Sequence, residues 1–210
     1  MNLRRYADNH TVNFLKFVIG LRKPETSVSA VEQQLLRDLA RNKSCIVEVG
    51  VFEGATSHVL CSEMHPEGKI YLVDPFFPEV RLERLFNVSF TRRVATAAVQ
   101  PWRSKVEFVT EKSAVAASRL PLQGKADLIF IDARHDYASV LEDFNCWQPM
   151  LASGGTMAFH DSCTCVARPD LTDDDGPVRL MREIAAAKHG AWEVTARADS
   201  VTAIRRKPVG

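Results

Sequence analysis

Five short apolar runs, at 45–49, 70–73, 106–109, 127–131 and 155–159, constrain this chain more than any other feature. Helical patterns separate them. One of these, between the fourth and fifth runs, carries Val140, Leu141, Phe144, Trp147 and Leu151 on one face. Continuous apolar strands alternating with helices require a parallel sheet covered on both faces. The last two strand candidates break the rule. Residues 192–196 and 201–204 are joined by Arg197-Ala-Asp-Ser200, too short for a parallel crossover, so they form an antiparallel hairpin. Ahead of the sheet, Phe14, Phe17, Val18 and Leu21 mark one apolar helix face that Pro24 ends. Val28, Val31, Leu35, Leu36 and Leu39 mark a second. Residues 1–43 are thus expected to be a helical cap and residues 44–210 the sheet domain, within the 210 residues that suit one α/β domain.

Charge narrows the ligand classes. Lys and Arg number 27 against 26 Asp and Glu, a net charge of +1. Binders of duplex nucleic acid need a basic excess, because phosphate neutralisation supplies much of their affinity. No nucleic-acid partner is expected, and no membrane either. The most apolar stretch, 14–21, is short and interrupted by Lys16, and the N-terminal residues lack the apolar core of a secretory signal. The protein is expected to be cytoplasmic. Its five cysteines (Cys45, Cys61, Cys146, Cys163, Cys165) contain no CxxC pair, so they are expected to be reduced thiols rather than a zinc site.

Ligands of open α/β sheets bind outside the carboxyl ends of the strands. The first strand runs into Glu48-Val-Gly50-Val-Phe-Glu-Gly54-Ala-Thr56-Ser57. The dinucleotide fingerprint needs a glycine where Phe52 stands, so the diphosphate cradle is missing. This loop suits a nucleoside whose tail carries an amine, with Thr56 or Ser57 capping the helix that follows. The second strand ends in Asp74, 26 residues after Glu48, where a carboxylate accepts ribose hydroxyls. The third is followed by Thr110-Glu-Lys-Ser113, polar groups suited to an adenine edge.

Together, Glu48-Val-Gly-Val-Phe-Glu-Gly54, Leu72-Val-Asp74, Asp127-Leu-Ile-Phe-Ile-Asp132 and Gly154-Gly-Thr-Met-Ala-Phe-His-Asp161 resemble the ordered motifs of class I S-adenosylmethionine-dependent methyltransferases. The resemblance is to small bacterial O-methyltransferases, macrolide-sugar enzymes among them, and more distantly to catechol-type enzymes. It implies a Rossmann-like seven-stranded sheet of order 3-2-1-4-5-7-6 with strand 7 antiparallel. It also implies that Glu48, Gly50, Val51, Phe52, Gly54, Thr56 and Ser57 surround the methionine part of S-adenosylmethionine. Asp74 and Pro75 then lie at the ribose, Ser113 near adenine, and Asp132 at the cofactor's reacting end.

The same resemblance makes the fourth and fifth strands neighbours. Asp132 and Asp161 then face one another, and two such carboxylates repel unless a proton or cation lies between them. A magnesium or other divalent ion is expected there, held by Asp132 and Asp161, with Ser162 where the catechol type has asparagine and His160 as a third ligand or alternative base. His135 stands where the catechol type has a lysine base and is the expected base for an acceptor hydroxyl. The polar loop 168–177 is expected to be a mobile, solvated loop standing where a lid over the acceptor would be. The helices around Arg4, Arg5 and Tyr6 are expected to wall the acceptor or to join a second copy. The expected activity is O-methylation of a small hydroxylated molecule. A metal-independent methyltransferase and a non-catalytic nucleoside-binding scaffold are the alternatives, and the oligomeric state is open. Base methylation of nucleic acid is disfavoured because no N-P-P-aromatic motif follows the fourth strand.

Overall fold

The computed structural model describes residues 3–207, with side chains from His10 onward; Arg4, Arg5 and Tyr6 therefore lie outside the described side chains. Its strands are β1 (Cys45–Val49), β2 (Lys69–Val73), β3 (Val106–Val109), β4 (Ala126–Ile131), β5 (Leu151–Phe159), β6 (Trp192–Ala198) and β7 (Val201–Arg206). They form one sheet in the order β3-β2-β1-β4-β5-β7-β6. β7 runs antiparallel to both of its neighbours, and the remaining pairs are parallel. The hairpin follows from its two-residue turn at Asp199 and Ser200, where Asp199 adopts φ 42°. No crossover fits in so short a link.

The helices are α1 (Leu3–Val18), α2 (Ala30–Ala40), α3 (Ala55–Glu63), α4 (Arg81–Phe86), α5 (Phe90–Ala98), α6 (Ser113–Arg119), α7 (Tyr137–Trp147) and α8 (Gly176–Ala185). Both faces of the sheet are buried, as continuous apolar strands demand. In β4, Leu128 and Phe130 pack with Leu36, Leu60 and Ile70 on one face. Ile129 and Ile131 pack with Phe144, Trp147 and Leu180 on the other. Phe130, Phe144 and Trp147 are fully buried, and each contributes on the order of 1.5–3 kcal/mol by burial alone.

The N-terminal helices depart from the sequence pattern. α1 ends at Val18 rather than at Pro24, because Gly20 takes φ 76° and turns the chain. Of its expected apolar face, Val18 is 61% and Leu21 73% exposed, while Phe14 stacks on Phe90 with ring centres 4.2 Å apart. In α2 the expected core residue Val31 is 58% exposed and Glu32 is buried instead. The reason is a capping box: Ser29 Oγ accepts from Glu32 N at 3.2 Å, and Glu32 Oε2 accepts from Ser29 N at 2.7 Å, which draws the carboxylate inward. No helix among the described residues is long and apolar enough to cross a membrane. All five cysteines are free.

Neighbouring strand ends are laced together by main-chain bonds just past the sheet. Gly50 N donates to Val73 O at 2.9 Å, Asp132 N to Val49 O at 2.8 Å, and His160 N to Ile131 O at 3.1 Å. These bonds hold the ends of β2, β1, β4 and β5 as one rim.

Candidate active site

Gly50 opens the rim loop with φ 88°. A Cβ there would lie 2.1 Å from the carbonyl oxygen of Asp132, so only glycine lets β1 and β4 end side by side. The loop then turns over Asp74. Asp74 Oδ2 accepts from Val51 N at 3.0 Å and Phe52 N at 3.2 Å, and its Oδ1 accepts from Phe76 N at 2.7 Å. A carboxylate offers about four acceptor positions, so this arrangement leaves room for one ligand hydroxyl. The same bonds consume two loop amides that a phosphate would need.

α3 begins differently from the expected cap. Its N-cap is Gly54 at φ 75° with no side-chain bond, and Thr56 and Ser57 are buried within the first turn. Ser57 Oγ donates to Glu48 Oε2 at 2.5 Å, while Glu48 Oε1 has no partner. Burial pushes the Glu48 carboxyl up to about 8. Glu48 therefore lies beneath the rim, outside the cleft lining. Glu53, unremarked in the sequence, pins the segment before α2: its two oxygens accept from Arg22 at 2.5 and 2.6 Å, and Oε2 also accepts from Glu25 N at 2.7 Å.

A cleft of about 680 Å³ opens between the rim loop, the end of β2, and the first turns of α6 and α7. Gly50, Val51, Phe52, Asp74, Pro75, Ser113 and Asp132 all line it, which brings together most of the cofactor residues expected from the sequence. Asp143 and Glu142 are lining residues that sequence reasoning missed, while Lys112 lies in the polar segment expected at the adenine edge. Asp143 is drawn in because α7 turns it toward Ser113, and burial raises its carboxyl to about 6. Ser113 Oγ in turn accepts from Trp147 Nε1 at 2.8 Å. α7 is capped by Asp136, whose side chain accepts from Ser139 N at 3.0 Å, and this leaves Asp132 for the cleft.

Behind the cleft lies a cluster of acids and imidazoles. Asp132 Oδ1 is 3.1 Å from His160 Nδ1 and 3.5 Å from His135 Nε2. His160 Nδ1 is also 3.3 Å from Asp161 Oδ1, and His135 Nδ1 is 3.6 Å from Asp161 Oδ2. On its far side, His160 Nε2 faces Glu32 at 3.5 Å, beyond good hydrogen-bond geometry. Burial pushes the Asp132 carboxyl up, but the hydrogen bonds from His135 and His160 outweigh it and hold the pKa at about 2. Glu32 is held at about 2 in the same way, by His160, Ser200 and Ser29. Burial lowers the His160 pKa, yet the surrounding carboxylates raise it to about 10. The hydrogen bond to Asp132 raises that of His135 above its ordinary value. Asp161 holds a left-handed φ of 51°, a strained conformation that turns its carboxylate into this cluster.

The magnesium set expected from the sequence is not assembled here. Ser162 Oγ donates to Phe159 O at 2.9 Å and Ser200 O at 3.0 Å, away from the acids. Asp161 Oδ1 accepts from Arg168. The group that converges is Asp132, His135 and His160, with one ligand atom from each within 4.8 Å of the others. Two imidazoles and one carboxylate suit a borderline ion rather than magnesium, which prefers oxygen donors. His160 Nδ1 lies between Asp132 and Asp161, and those carboxylates favour a proton on the ring that an ion would have to displace. The residues present do not fit a magnesium ion.

Residues 47–162 match the family model described as a methyltransferase domain, just over half of the chain. No curated protein matches. Among solved structures, the chain is similar to the O-methyltransferase TomG from Streptomyces achromogenes, involved in tomaymycin synthesis and solved with S-adenosylmethionine. The identity is 19% and the TM-score 0.67, covering 98% of this chain and 89% of that one. It is similar to an O-methyltransferase from Bacillus cereus, solved with S-adenosylhomocysteine, at 16% identity and TM-score 0.66, covering 97% and 96%. A methyltransferase from Geobacter sulfurreducens is 14% identical at TM-score 0.61, covering 93% and 87%. At such identities these likenesses speak for the fold. The matched segment runs from β1 through both strand ends that bear the acids, so the family is shown by the part of the chain that builds the site: the chain belongs to the methyltransferase-domain family.

Proposed function

We propose that the protein is an S-adenosylmethionine-dependent O-methyltransferase for a small hydroxylated acceptor, with His135 as the base. One observation carries the reading. Asp132 lines the cofactor cleft and at the same time contacts His135, so a ligand's reacting end and a proton acceptor meet at one carboxylate. The cleft chemistry fits the cofactor. Among the residues lining the cleft, the acids Asp74, Asp132, Glu142 and Asp143 outnumber the cations Lys112 and Arg134, and Arg134 is paired with Asp136. An acidic cleft with its loop amides spent suits a ligand bearing an ammonium and a sulfonium, and repels a diphosphate. The solved relatives that hold S-adenosylmethionine or S-adenosylhomocysteine support the same ligand.

The cofactor, when bound, supplies an electrophilic methyl group. Asp74 orients a ribose hydroxyl, and Phe52 and Phe77, which line the cleft, shield the nucleoside from water. Asp132 fixes the His135 ring through Nε2. Neutral His135 takes the acceptor hydroxyl's proton while the oxygen is held in line, and positioning supplies much of the rate. No divalent ion takes part in this reading, so activity is expected to persist in excess chelator. Residues 1–43 act as a cap on the acceptor side, with Glu32 reaching the cluster from α2. The acceptor is a small molecule rather than nucleic acid or membrane, and the protein works in the cytoplasm. The N-terminal helices are also the surface through which two copies would associate.

The test is calorimetric titration with S-adenosylhomocysteine. Wild type is expected to bind at micromolar affinity, and Asp74→Ala at least tenfold more weakly, because it loses both the ribose contact and the loop's anchor. Well-folded wild type that binds nothing would remove the reading and leave a scaffold role.

The buried acid beneath the rim yields a separate prediction. Glu48 keeps its proton in the fold up to about 8, whereas an unfolded glutamate ionises near 4.5. Its contribution to stability is present below 4.5 and is lost as pH rises towards 8, at up to about 1.4 kcal/mol per pH unit. Glu48→Gln is expected to flatten the fall of melting temperature between pH 5 and 8. Parallel melting curves for the two proteins would disprove it.

A further inference from the structure

The loop between β5 and α8 carries a cation that neither the motifs nor the proposed reaction uses. We propose that the Arg168 guanidinium stands where the resemblance puts a divalent ion: it is the permanent counter-charge of Asp161, and it fixes that carboxylate for the acceptor site. Its part in the reaction rests on the methyltransferase reading above; the charge assignment does not.

Asp161 is buried, with its side chain 4% exposed. A buried carboxylate persists only with donors or a cation against it. Its Oδ1 takes Arg168 Nη1, with Ser200 Oγ at 3.2 Å and His160 Nδ1 at 3.3 Å. Ser200 Oγ gives its one proton to Glu32 Oε1 at 2.6 Å, so Arg168 and His160 are the donors at the lone pairs that an ion would claim on that oxygen.

Arg168 is held from both sides. Its Nε and Nη2 reach the two oxygens of Asp170 at 3.0 and 2.9 Å, a fork that fixes the guanidinium plane. Its backbone N donates to Cys165 O at 3.1 Å, and the two residues form a short antiparallel bridge. The side chain is 25% exposed, so it is seated rather than trailing in solvent. The end of the same loop is tied to the site too: Gly176 N donates to His135 O at 3.0 Å, and a Cβ at Gly176 would lie 2.5 Å from that oxygen. The loop expected to be mobile is thus fastened to both Asp161 and His135.

A dication and a guanidinium cannot share one carboxylate oxygen, because like charges at contact distance repel. Arginine stays charged at every working pH, so it neutralises Asp161 without uptake of an ion or a proton. It also lacks magnesium's exchangeable water positions. Arg168 is a positioning residue, and the proton of the acceptor is left to His135.

The experiment uses the full chain, freed of metals by chelator, and titrates Mn²⁺ by calorimetry into wild type, Arg168→Met and Arg168→Gln. Wild type is expected to bind Mn²⁺ no tighter than about 1 mM. Both variants expose Asp161, and each is expected to bind Mn²⁺ at least tenfold more tightly. The glutamine keeps a donor for Asp161 without the charge, so it remains informative if the methionine variant fails to fold. Arg168→Lys, which keeps the charge, is expected to stay near wild type. Micromolar Mn²⁺ binding by wild type, or no gain in the neutral variants, overturns the proposal. S-adenosylhomocysteine is titrated alongside. If it fails to bind while the Mn²⁺ results are as expected, the methyltransferase reading falls and the Arg168 assignment stands.

Discussion

An alanine at position 50 is expected to abolish cofactor binding and to lower the melting temperature sharply. Gly50 takes φ 88°, and forcing an L-residue into the left-handed region costs on the order of 1–2 kcal/mol. The larger cost is steric. The new Cβ would lie 2.1 Å from Asp132 O, 2.6 Å from Asp132 C and 2.9 Å from Ala133 Cα. All three are backbone atoms, so no rotamer change relieves the clash. The strands cannot simply part, because Asp132 N bonds Val49 O and Gly50 N bonds Val73 O. The rim must break, and it carries both Asp132 and the loop over Asp74. Affinity for S-adenosylhomocysteine should fall by roughly 100-fold or more, equivalent to about 2.7 kcal/mol. Calorimetry and thermal melting read the two effects. A Gly50→Ala protein with wild-type affinity and melting temperature would show that the rim does not position the cofactor.

His135→Ala is expected to lower kcat by about 10²–10⁴ while leaving S-adenosylhomocysteine affinity within a few-fold of wild type. The ring is 43% exposed, so it is open to an acceptor, and Asp132 and Asp161 hold it from two sides. The hydrogen bond to Asp132 raises its pKa above the ordinary 6.5. A base works when neutral. Activity should therefore rise with pH through that raised value and fall away below it, and His135→Gln should lose this ascending limb. His160 cannot substitute, because its pKa near 10 keeps it charged. A kcat within threefold of wild type in His135→Ala would end the base assignment. An ascending limb centred near 10 would point to His160 instead.

The sheet was legible because buried strands write themselves as unbroken apolar runs. β3 (Val106–Val109) spans the residues read from the sequence, and the short Arg197–Ser200 link announced the reversed hairpin. β5 starts earlier than expected, at Leu151, because Gly154 with φ 75° and the bulge against β4 let the chain pair before its apolar run begins. The strand-end acids were legible for the same reason, since a charge after several apolar residues marks a rim. Glu32 and Arg168 were not. A carboxylate in an amphipathic helix and an arginine in a polar loop look solvated locally, and only tertiary packing brings them to His160 and Asp161. Ser29 and Glu32 carried the spacing of a capping box, a signal for a helix start but not for a role 170 residues away. That distance is set by the bond from Ser29 Oγ to Asp199 at 2.6 Å and by the contacts of Glu32 with Ser200. Beside the expected magnesium set, Arg168 was invisible because the spacing of two acids says nothing about which cations of the same chain reach them.

The reach of Glu32 has a consequence for how such an enzyme can be remade. Grafting a foreign N-terminal segment onto this sheet would replace the carboxylate that backs His160, and with it the fit to Ser200 N at 2.8 Å and Ser200 Oγ at 2.6 Å. A chimera would inherit a new entrance and an orphaned imidazole together. The first 43 residues are therefore not an interchangeable module, and a successful transplant must carry Ser29, Glu32 and the Asp199-Ser200 turn as one heritable unit.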